Sequence, residues 1–176
     1  MNISVIMGVH NGERYLSEAI ESILTQSMPD FEFIICNDGS TDNTSEILSN
    51  YSKKDSRIKC INLEKNRGLA NALNVCIRAA SGEVIARMDC DDISFPERFE
   101  KQFHVLQKGN ADIVGSQVII INSLGRSIKT SHHPSKNNEI KYQENKIKKA
   151  NWAKKGEFNI IKREKLTSAI WIVHAI

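Results

Sequence analysis

The chain has 176 residues, of which 40% are apolar, and a formal net charge of +3. This is enough chain to bury one core but too little for two full domains. No apolar run approaches the roughly 18 residues that a membrane span needs, and no basic region precedes the apolar start, so the sequence predicts a cytoplasmic protein. Its four cysteines are widely spaced, without a C-x-x-C pair or histidines at zinc-ligand spacing, and we expect reduced thiols.

Segments typical of strands and helices alternate along the first hundred residues. The predicted strands are Ile3–Met7, Phe31–Cys36, Arg57–Leu63 and Glu83–Met88. Apolar residues recur at helical spacing over Leu16–Leu24, after the capping pair Asn43 and Glu46, over Leu69–Ala80, and after Pro96 up to Gly109. This alternation predicts an α/β fold with a doubly wound, mainly parallel sheet and helices on both faces.

The character of the chain changes near residue 130. Before that point, Ile113–Asn122 is a long β-run, and Gly125 marks a turn into a short partner strand, Ser127–Thr130, which we expect to be antiparallel. Residues 131–176 carry ten Lys or Arg against four Glu, and they are compatible with one or two helices between Glu139 and Lys155. We therefore divide the chain into a domain over residues 1–130 and a basic tail over residues 131–176.

Carboxylates follow two of the predicted strands. Asp38 comes after the second strand, and the stretch "ARMDCDDISFP" places Asp89, Asp91 and Asp92 after the fourth. In open α/β sheets ligands bind at the carboxyl ends of strands, so these side chains are expected to share one edge. Mg²⁺ or Mn²⁺ is typically held by one or two carboxylates and substrate phosphates. The alternative is a solvated loop in which Asp92 caps the helix after Pro96 or its preceding turn.

The sequence lacks two common nucleotide-binding motifs. Gly8–Gly12 lacks the G-x-G-x-x-G of dinucleotide-binding folds, and the chain has no G-x-x-x-x-G-K-[ST]. A phosphatase of the haloacid-dehalogenase type also uses Asp-x-Asp, but after its first strand rather than its fourth. A nicotinamide enzyme, a P-loop protein and such a phosphatase are thus disfavoured.

Several separated motifs together resemble one family. The stretches "SVIMGVHNGERYLSEAIESILTQSMPDFEFIICNDGSTDNT" and "NRGLANALNVCIRAASGEVIARMDCDDISFPERFEKQ" resemble the nucleotide-sugar domain of family 2 glycosyltransferases with the GT-A fold. The resemblance covers about residues 2–130 and is greatest to bacterial enzymes that build capsule, exopolysaccharide or O-antigen. It implies a glycosyltransferase that moves a sugar from a nucleoside-diphosphate donor, such as a UDP-sugar, to a saccharide or lipid-linked acceptor.

The resemblance also implies roles for individual residues. Asp38 would accept a hydrogen bond from a uracil-type ring, although an Asx turn with Gly39 is an alternative. Arg67 would approach the diphosphate, or else lie solvated at the surface. The residues expected near the nucleoside are Val9, His10, Asn11 and Glu13. The alternative for each of them is a simple strand–helix turn.

The Asp-x-Asp motif would hold the cofactor, Mn²⁺ or Mg²⁺. By resemblance, Asp89 faces the nucleotide and joins Asp91 as a metal ligand, while Asp92 is their neighbour and Cys90 fills a slot for a small residue. The expected reaction is displacement at the anomeric carbon with inversion, with the acceptor hydroxyl deprotonated by a general base. No nucleic-acid partner is expected, and the basic tail could contact the cytoplasmic face of the inner membrane.

The base itself is not found in the sequence. Family members carry it well beyond Asp-x-Asp, often in a Glu-Asp pair, whereas the only acids in the tail are Glu139, Glu144, Glu157 and Glu164. Three accounts follow: an active short transferase that uses one of these glutamates, a truncated or frameshifted product that binds the donor, or a non-catalytic nucleotide-sugar binder or partner subunit.

Overall fold

A computed structural model describes residues 3–108, 113–122, 125–131 and 158–162, with only the backbone of Ser131 and of residues 158–162. Its longest helices have 11 residues, and no helix in the described ranges could cross a membrane. The elements in chain order are β1 (Ile3–Val9), α1 (Leu16–Leu24), β2 (Phe31–Asp38), α2 (Thr44–Lys54), β3 (Ile58–Leu63), α3 (Leu69–Ala79), β4 (Val84–Arg87), α4 (Arg98–Gln107), β5 (Ile113–Gly115), β6 (Val118–Ile121), β7 (Ser127–Ser131) and β8 (Phe158–Lys162).

The main sheet has six strands in the order β3-β2-β1-β4-β8-β5. The first four are parallel to one another, whereas β8 runs antiparallel to both β4 and β5. The chain starts in the middle of the sheet, moves outward to β3, and then crosses to the other side of β1 to form β4. The direction of winding therefore changes between β1 and β4, which is where open α/β sheets bind ligands.

Helices cover both faces of this sheet because its strands alternate apolar side chains on both sides. One core places Val5, Met7 and Phe33 against α1, α2 and α4, which contribute residues such as Leu16, Leu48 and Phe99. The other core packs Ile6, Ile34, Cys36 and Ile85 against Ala72, Leu73, Cys76 and Ala80 of the α3 side. The layered α/β architecture with a mainly parallel sheet, predicted from the sequence, is confirmed.

The end of the described chain differs from the prediction. The β-run Ile113–Asn122 divides at Ser116 and Gln117 into β5, in the main sheet, and β6, which forms a separate antiparallel hairpin with β7. The antiparallel pairing is confirmed. Strand β8 was not predicted, and it brings residues 158–162 of the tail segment into the main sheet. The division at residue 130 stays a prediction, and the helices expected between Glu139 and Lys155 lie outside the described residues.

Three local predictions were wrong. The capping pair does not form: Asn43 is the N-cap of α2 but makes no side-chain cap bond there, since Asp42 accepts the Thr44 N–H at 3.0 Å instead. Helix α4 begins at Arg98 rather than at Pro96, with Glu97 as its N-cap. Leu69 is 45% exposed, since it is the first residue of α3.

Candidate functional site

Four loops meet at the carboxyl edge of the parallel strands. They follow β1, β2, β3 and β4, which are neighbours in the sheet, so their ends are adjacent in space as well. Each contains residues predicted to bind a ligand. The contacts between the loops show how the sequence builds this edge.

The loops after β1 and β2 are joined by hydrogen bonds between residues predicted to lie near a nucleoside. His10 Nδ1 lies 2.9 Å from the carbonyl oxygen of Asp38, which can only accept, so Nδ1 is the donor. Asn11, with its φ of +52°, accepts from the Thr41 N–H at 2.8 Å and donates its own N–H to the Ser40 hydroxyl at 3.0 Å. These polar side chains fix one loop against the other.

Glu13 and Val9 have structural roles at the same edge. The Glu13 carboxylate accepts the Asn43 N–H at 2.9 Å, just before α2, and its own N–H donates to Asp42 at 3.1 Å. Val9 is the last residue of β1 and is only 2% exposed, so its side chain belongs to the core. Of the four residues predicted near the nucleoside, the other three, His10, Asn11 and Glu13, are exposed at the edge.

Asp38 is the buried centre of the second contact. Only 2% exposed, it accepts the backbone N–H of Arg67 at 2.9 Å and of Gly68 at 2.8 Å, one with each carboxylate oxygen. It thereby holds the loop that begins α3 and leaves the Arg67 side chain exposed at the edge. The expected Asx turn is made by Asn37 instead, whose side-chain oxygen accepts the Ser40 N–H at 3.1 Å.

Gly39 allows these two loops to approach. Its φ of +65° lies in the left-handed region, and a Cβ there would stand 2.5 Å from the carbonyl carbon of Lys65 and 2.7 Å from the nitrogen of Asn66. Both neighbours are backbone atoms, so no side-chain rotation could relieve the clash. A glycine is therefore required between Asp38 and the loop that it binds.

The carboxylates after β4 lie in different environments. Asp89 is buried and forms an ion pair with Arg87, whose Nη2 lies 2.7 Å from one carboxylate oxygen and 3.0 Å from the other. Asp91 is exposed, and Asp92 is half-buried. The Asp92 N–H points to the carbonyl oxygen of Asp89 at 3.4 Å, so residues 89–92 form a turn. Arg87 was not predicted from the sequence, although a basic residue in an apolar strand was a visible signal.

Cys90 lies within this turn and faces the loop after β1. Its Sγ is 3.6 Å from the place where a Cβ on Gly12 would be, so the two loops are in contact. Burial raises the pKa of the Cys90 thiol to about 11, and the negative charges of Asp91, Asp89 and Asp92 act in the same direction. The thiol is therefore protonated at neutral pH, which fits a residue selected for size rather than a nucleophile.

Polar residues at the end of α1 bind the loop between β4 and α4, residues 88–97, which we call the carboxylate loop. The Gln26 amide donates to the Ser94 hydroxyl at 3.0 Å and to the Phe95 carbonyl at 2.8 Å, and its oxygen accepts the Phe99 N–H at 3.1 Å. The Ser22 hydroxyl accepts the Ser94 N–H at 3.0 Å. The sequence analysis missed these residues, for which the only signal was two polar side chains beside an apolar helical stripe.

The donor set fits a hard divalent cation. Asp91 supplies an exposed carboxylate at the edge of the sheet, and oxygen ligands suit Mg²⁺ and Mn²⁺, which commonly take one or two carboxylates together with substrate phosphates. Within the described ranges no three His, Cys, Asp or Glu side chains form a metal-binding group. In sites of this kind the phosphates of a bound substrate supply further oxygen ligands. The tail glutamates considered as a base lie outside the described residues.

Comparison with known proteins identifies the family. The model of the family described as "Glycosyl transferase family 2" matches residues 4–167. The chain belongs to this family. Among curated relatives, EpsE of Bacillus subtilis is 46% identical over 125 residues, which are 70% of this chain and 45% of EpsE. The O-antigen biosynthesis glycosyltransferase WbnJ of Escherichia coli is 39% identical over 136 residues, which are 77% of this chain and 53% of WbnJ. The chain thus spans about half the length of these family members.

Solved structures that are similar to this chain confirm the fold. Staphylococcus aureus TarS 1-349 in complex with UDP-GlcNAc is 31% identical, with a TM-score of 0.60 over 64% of this chain and 33% of that one. The mannosyltransferase PcManGT of Pyrobaculum calidifontis, in complex with GDP-Man and Mn²⁺, is 26% identical, with a TM-score of 0.51 over 55% of this chain and 29% of that one. The sheet and helices of this family member therefore form a GT-A fold.

Proposed function

We propose that this chain binds a nucleoside-diphosphate sugar at the edge formed by the four loops and takes part in sugar transfer during surface polysaccharide synthesis. The observation that carries the proposal is the exposed carboxylate of Asp91, on a loop that three buried contacts hold in place at the point where the winding of the sheet changes. The similar structures with UDP-GlcNAc and with GDP-Man and Mn²⁺ support a donor of this class.

The proposal gives the predicted residues other than Val9, whose side chain is in the core, a role that their surroundings allow. His10, Asn11 and Glu13 would line the nucleoside side, and Asp38 would contact the base with the acceptor capacity that its two backbone bonds leave. The exposed guanidinium of Arg67 would reach the diphosphate, which planar guanidinium groups bind well. Asp91 would bind Mn²⁺ or Mg²⁺ directly, and Asp89 would lie beside the nucleotide.

The chemistry that these residues support is the departure of a diphosphate. A divalent cation bound here supplies Lewis-acid stabilisation of the diphosphate charge. Arg67 adds positive charge on the β3 side of the edge, while the hydrogen-bonded loops keep the donor oriented without rearrangement. An acceptor hydroxyl, on a saccharide or a lipid-linked sugar, would attack from the opposite face. The base for this step stays unassigned, so donor binding and turnover are separate questions.

Thermal unfolding tests donor binding. UDP with Mn²⁺, at about 100 times the dissociation constant, should raise the melting temperature by roughly 5–10 °C, because a ligand that binds only the folded state stabilises it by about 2.7 kcal/mol. Asp91→Ala should remove the part of this increase that depends on Mn²⁺.

Asp30→Ala is the matched control, since Asp30 is an exposed aspartate next to the opposite end of β2. This variant should respond to UDP and Mn²⁺ like the unmodified chain. Melting curves that do not change with nucleotide and metal would overturn the proposed donor site. Transfer or hydrolysis of UDP-sugars, measured separately, would show whether the chain also supplies a base.

A further inference from the structure

Arg87 is a buried arginine on a rigid part of the sheet. It is 8% exposed, and its backbone pairs with Ile6 of the central strand β1. The following residue, Met88, donates its N–H to the Ile6 carbonyl at 3.0 Å. The main chain that carries Arg87 is therefore fixed on the strand that precedes the carboxylate loop.

One nitrogen of the Arg87 guanidinium forms an ion pair with Asp89. The side chains of both residues are only about one-tenth exposed, at 9% and 10%, and one guanidinium nitrogen lies within hydrogen-bond distance of both carboxylate oxygens. Two opposite charges in a site with little water interact strongly, and removing one of them leaves the other buried without compensation. Asp89 thus carries a permanent counter-ion, whereas Asp91, two residues later, points to solvent.

The chain just after the carboxyl-terminal end of the carboxylate loop also contacts Arg87. Arg98, at the start of α4, donates from Nη1 to the Arg87 carbonyl oxygen at 3.1 Å, and its guanidinium lies 4.8 Å from the Phe99 ring centroid. Arg87 therefore contacts the loop at Asp89 through its side chain and at Arg98 through its main chain.

We propose that Arg87 is a positioning residue for donor binding: it holds Asp89 as a neutralised, buried carboxylate, so that the loop presents Asp91 rather than Asp89 to a divalent cation. This rests on the proposed function. The ion pair also explains how the loop tolerates three carboxylates within four residues. The charge of one of them, Asp89, is balanced by Arg87.

Binding of Mn²⁺ alone, measured from the electron paramagnetic resonance signal of the free ion, tests the proposal. Arg87→Met removes the positive charge paired with Asp89, so the loop becomes more negative and should bind Mn²⁺ about tenfold more tightly. In Arg87→Met/Asp89→Asn the affinity should return to that of the unmodified chain. A purely structural role would instead weaken Mn²⁺ binding in both variants.

UDP affinity with and without Mn²⁺ gives the second measurement. Arg87→Met/Asp89→Asn removes both charges together, so it should fold even if Arg87→Met does not. Its UDP affinity without metal should fall, because Asp89 lies beside the nucleotide, but the ratio of UDP affinities with and without Mn²⁺ should stay within about threefold of that of the unmodified chain. Asp91→Asn should lose this Mn²⁺-dependent gain. The matched control is Asp55→Asn/Arg57→Met, which removes an ion pair of the same spacing and 2.7 Å length at the start of β3.

The outcomes separate this inference from the function on which it rests. If the double variant loses the Mn²⁺-dependent gain as Asp91→Asn does, or if Mn²⁺ binding is the same in Arg87→Met and in the unmodified chain, the inference is overturned while donor binding stands. If the unmodified chain shows no Mn²⁺-dependent UDP binding, the proposed function fails and the role of Arg87 fails with it.

Discussion

Residues that look alike in the sequence differ in the carboxylate loop because their surroundings differ. Asp89 and Asp91 are two positions apart in "MDCDD", yet the first is buried against Arg87 and the second is exposed. The sequence analysis explained the tolerance of these charges by a bound cation. The structure adds a cation of the protein itself, which leaves a smaller net negative charge for a metal to balance.

The reactivity of Cys90 can be predicted at this scale. Because burial and the three neighbouring carboxylates raise its pKa to about 11, only about one thiol in a thousand is ionised at pH 8. Alkylation of Cys90 by iodoacetamide, followed by mass spectrometry, should therefore be slow at pH 8 and should accelerate through pH 10 and 11. Labelling at pH 8 as fast as that of a free cysteine would contradict the prediction.

Strand β2 has a carboxylate near each end, and only the one at its carboxyl end lies at the candidate site. Asp38, at its carboxyl end, binds the loop before α3, whereas Glu32, near its amino end, binds three neighbouring segments. Glu32 accepts hydrogen bonds from the Ser4 hydroxyl at 2.6 Å, from the Ser81 N–H at 2.6 Å and from Lys59 at 2.8 Å. Both carboxylates connect elements that are distant in the sequence.

The Glu32 cluster should make the stability of the fold depend on pH. Burial acts to raise the pKa of Glu32, but the hydrogen bonds from Lys59, Ser4 and Ser81 outweigh it and lower the pKa from 4.5 to about 2. A carboxyl group whose pKa is lower in the folded than in the unfolded state stabilises the fold at pH values above its unfolded pKa. This contribution disappears as the pH falls from about 4.5 to about 2. Glu32→Gln should therefore lower the free energy of unfolding at pH 7 by about 2–3 kcal/mol.

Urea unfolding at pH 7, 5 and 3 measures this effect. The difference between Glu32→Gln and the unmodified chain should be similar at pH 7 and 5 and smaller at pH 3. Glu83→Gln, a change at an exposed glutamate nearby, should have little effect at any of these pH values. A difference at Glu32 that did not change between pH 5 and pH 3 would argue against the charged cluster.

At the scale of the whole molecule, the sheet combines segments that are far apart in the chain. Strand β8 lies between β4 and β5, with Ile160 opposite both Ala86 and Val114. Residues 158–162 thus connect the strand that carries Arg87 to the outermost strand of the sheet. The fixed position of the candidate site therefore depends in part on residues about 70 positions beyond it.

Ile160→Pro tests this dependence. Proline removes a backbone N–H from the ladder and is poorly tolerated within a sheet, so we expect a loss of about 3 kcal/mol or more in the free energy of unfolding. Amide hydrogen exchange at Ile85, which lies opposite Ile161 of β8, and at Val114, which lies opposite Ile160, should become faster. Ile160→Val keeps the N–H and should retain protection, whereas unchanged exchange in the proline variant would show that β8 does not stabilise β4.

The sequence by itself determined the layered fold, the alternation of the first eight elements and the edge at which the candidate residues meet. It could do so because the apolar periods of strands and helices, and the placement of Asp38, Asp89 and Asp91 after strands, are local patterns. Only the tertiary structure decided which carboxylate is exposed, that Asp38 binds the Arg67 loop, that Gln26 holds the carboxylate loop, and that β8 enters the sheet. The last three features depend on contacts between residues 29 or more positions apart, which leave no local pattern in the sequence. The first depends on how the fold buries the Arg87–Asp89 pair, although these residues are only two positions apart.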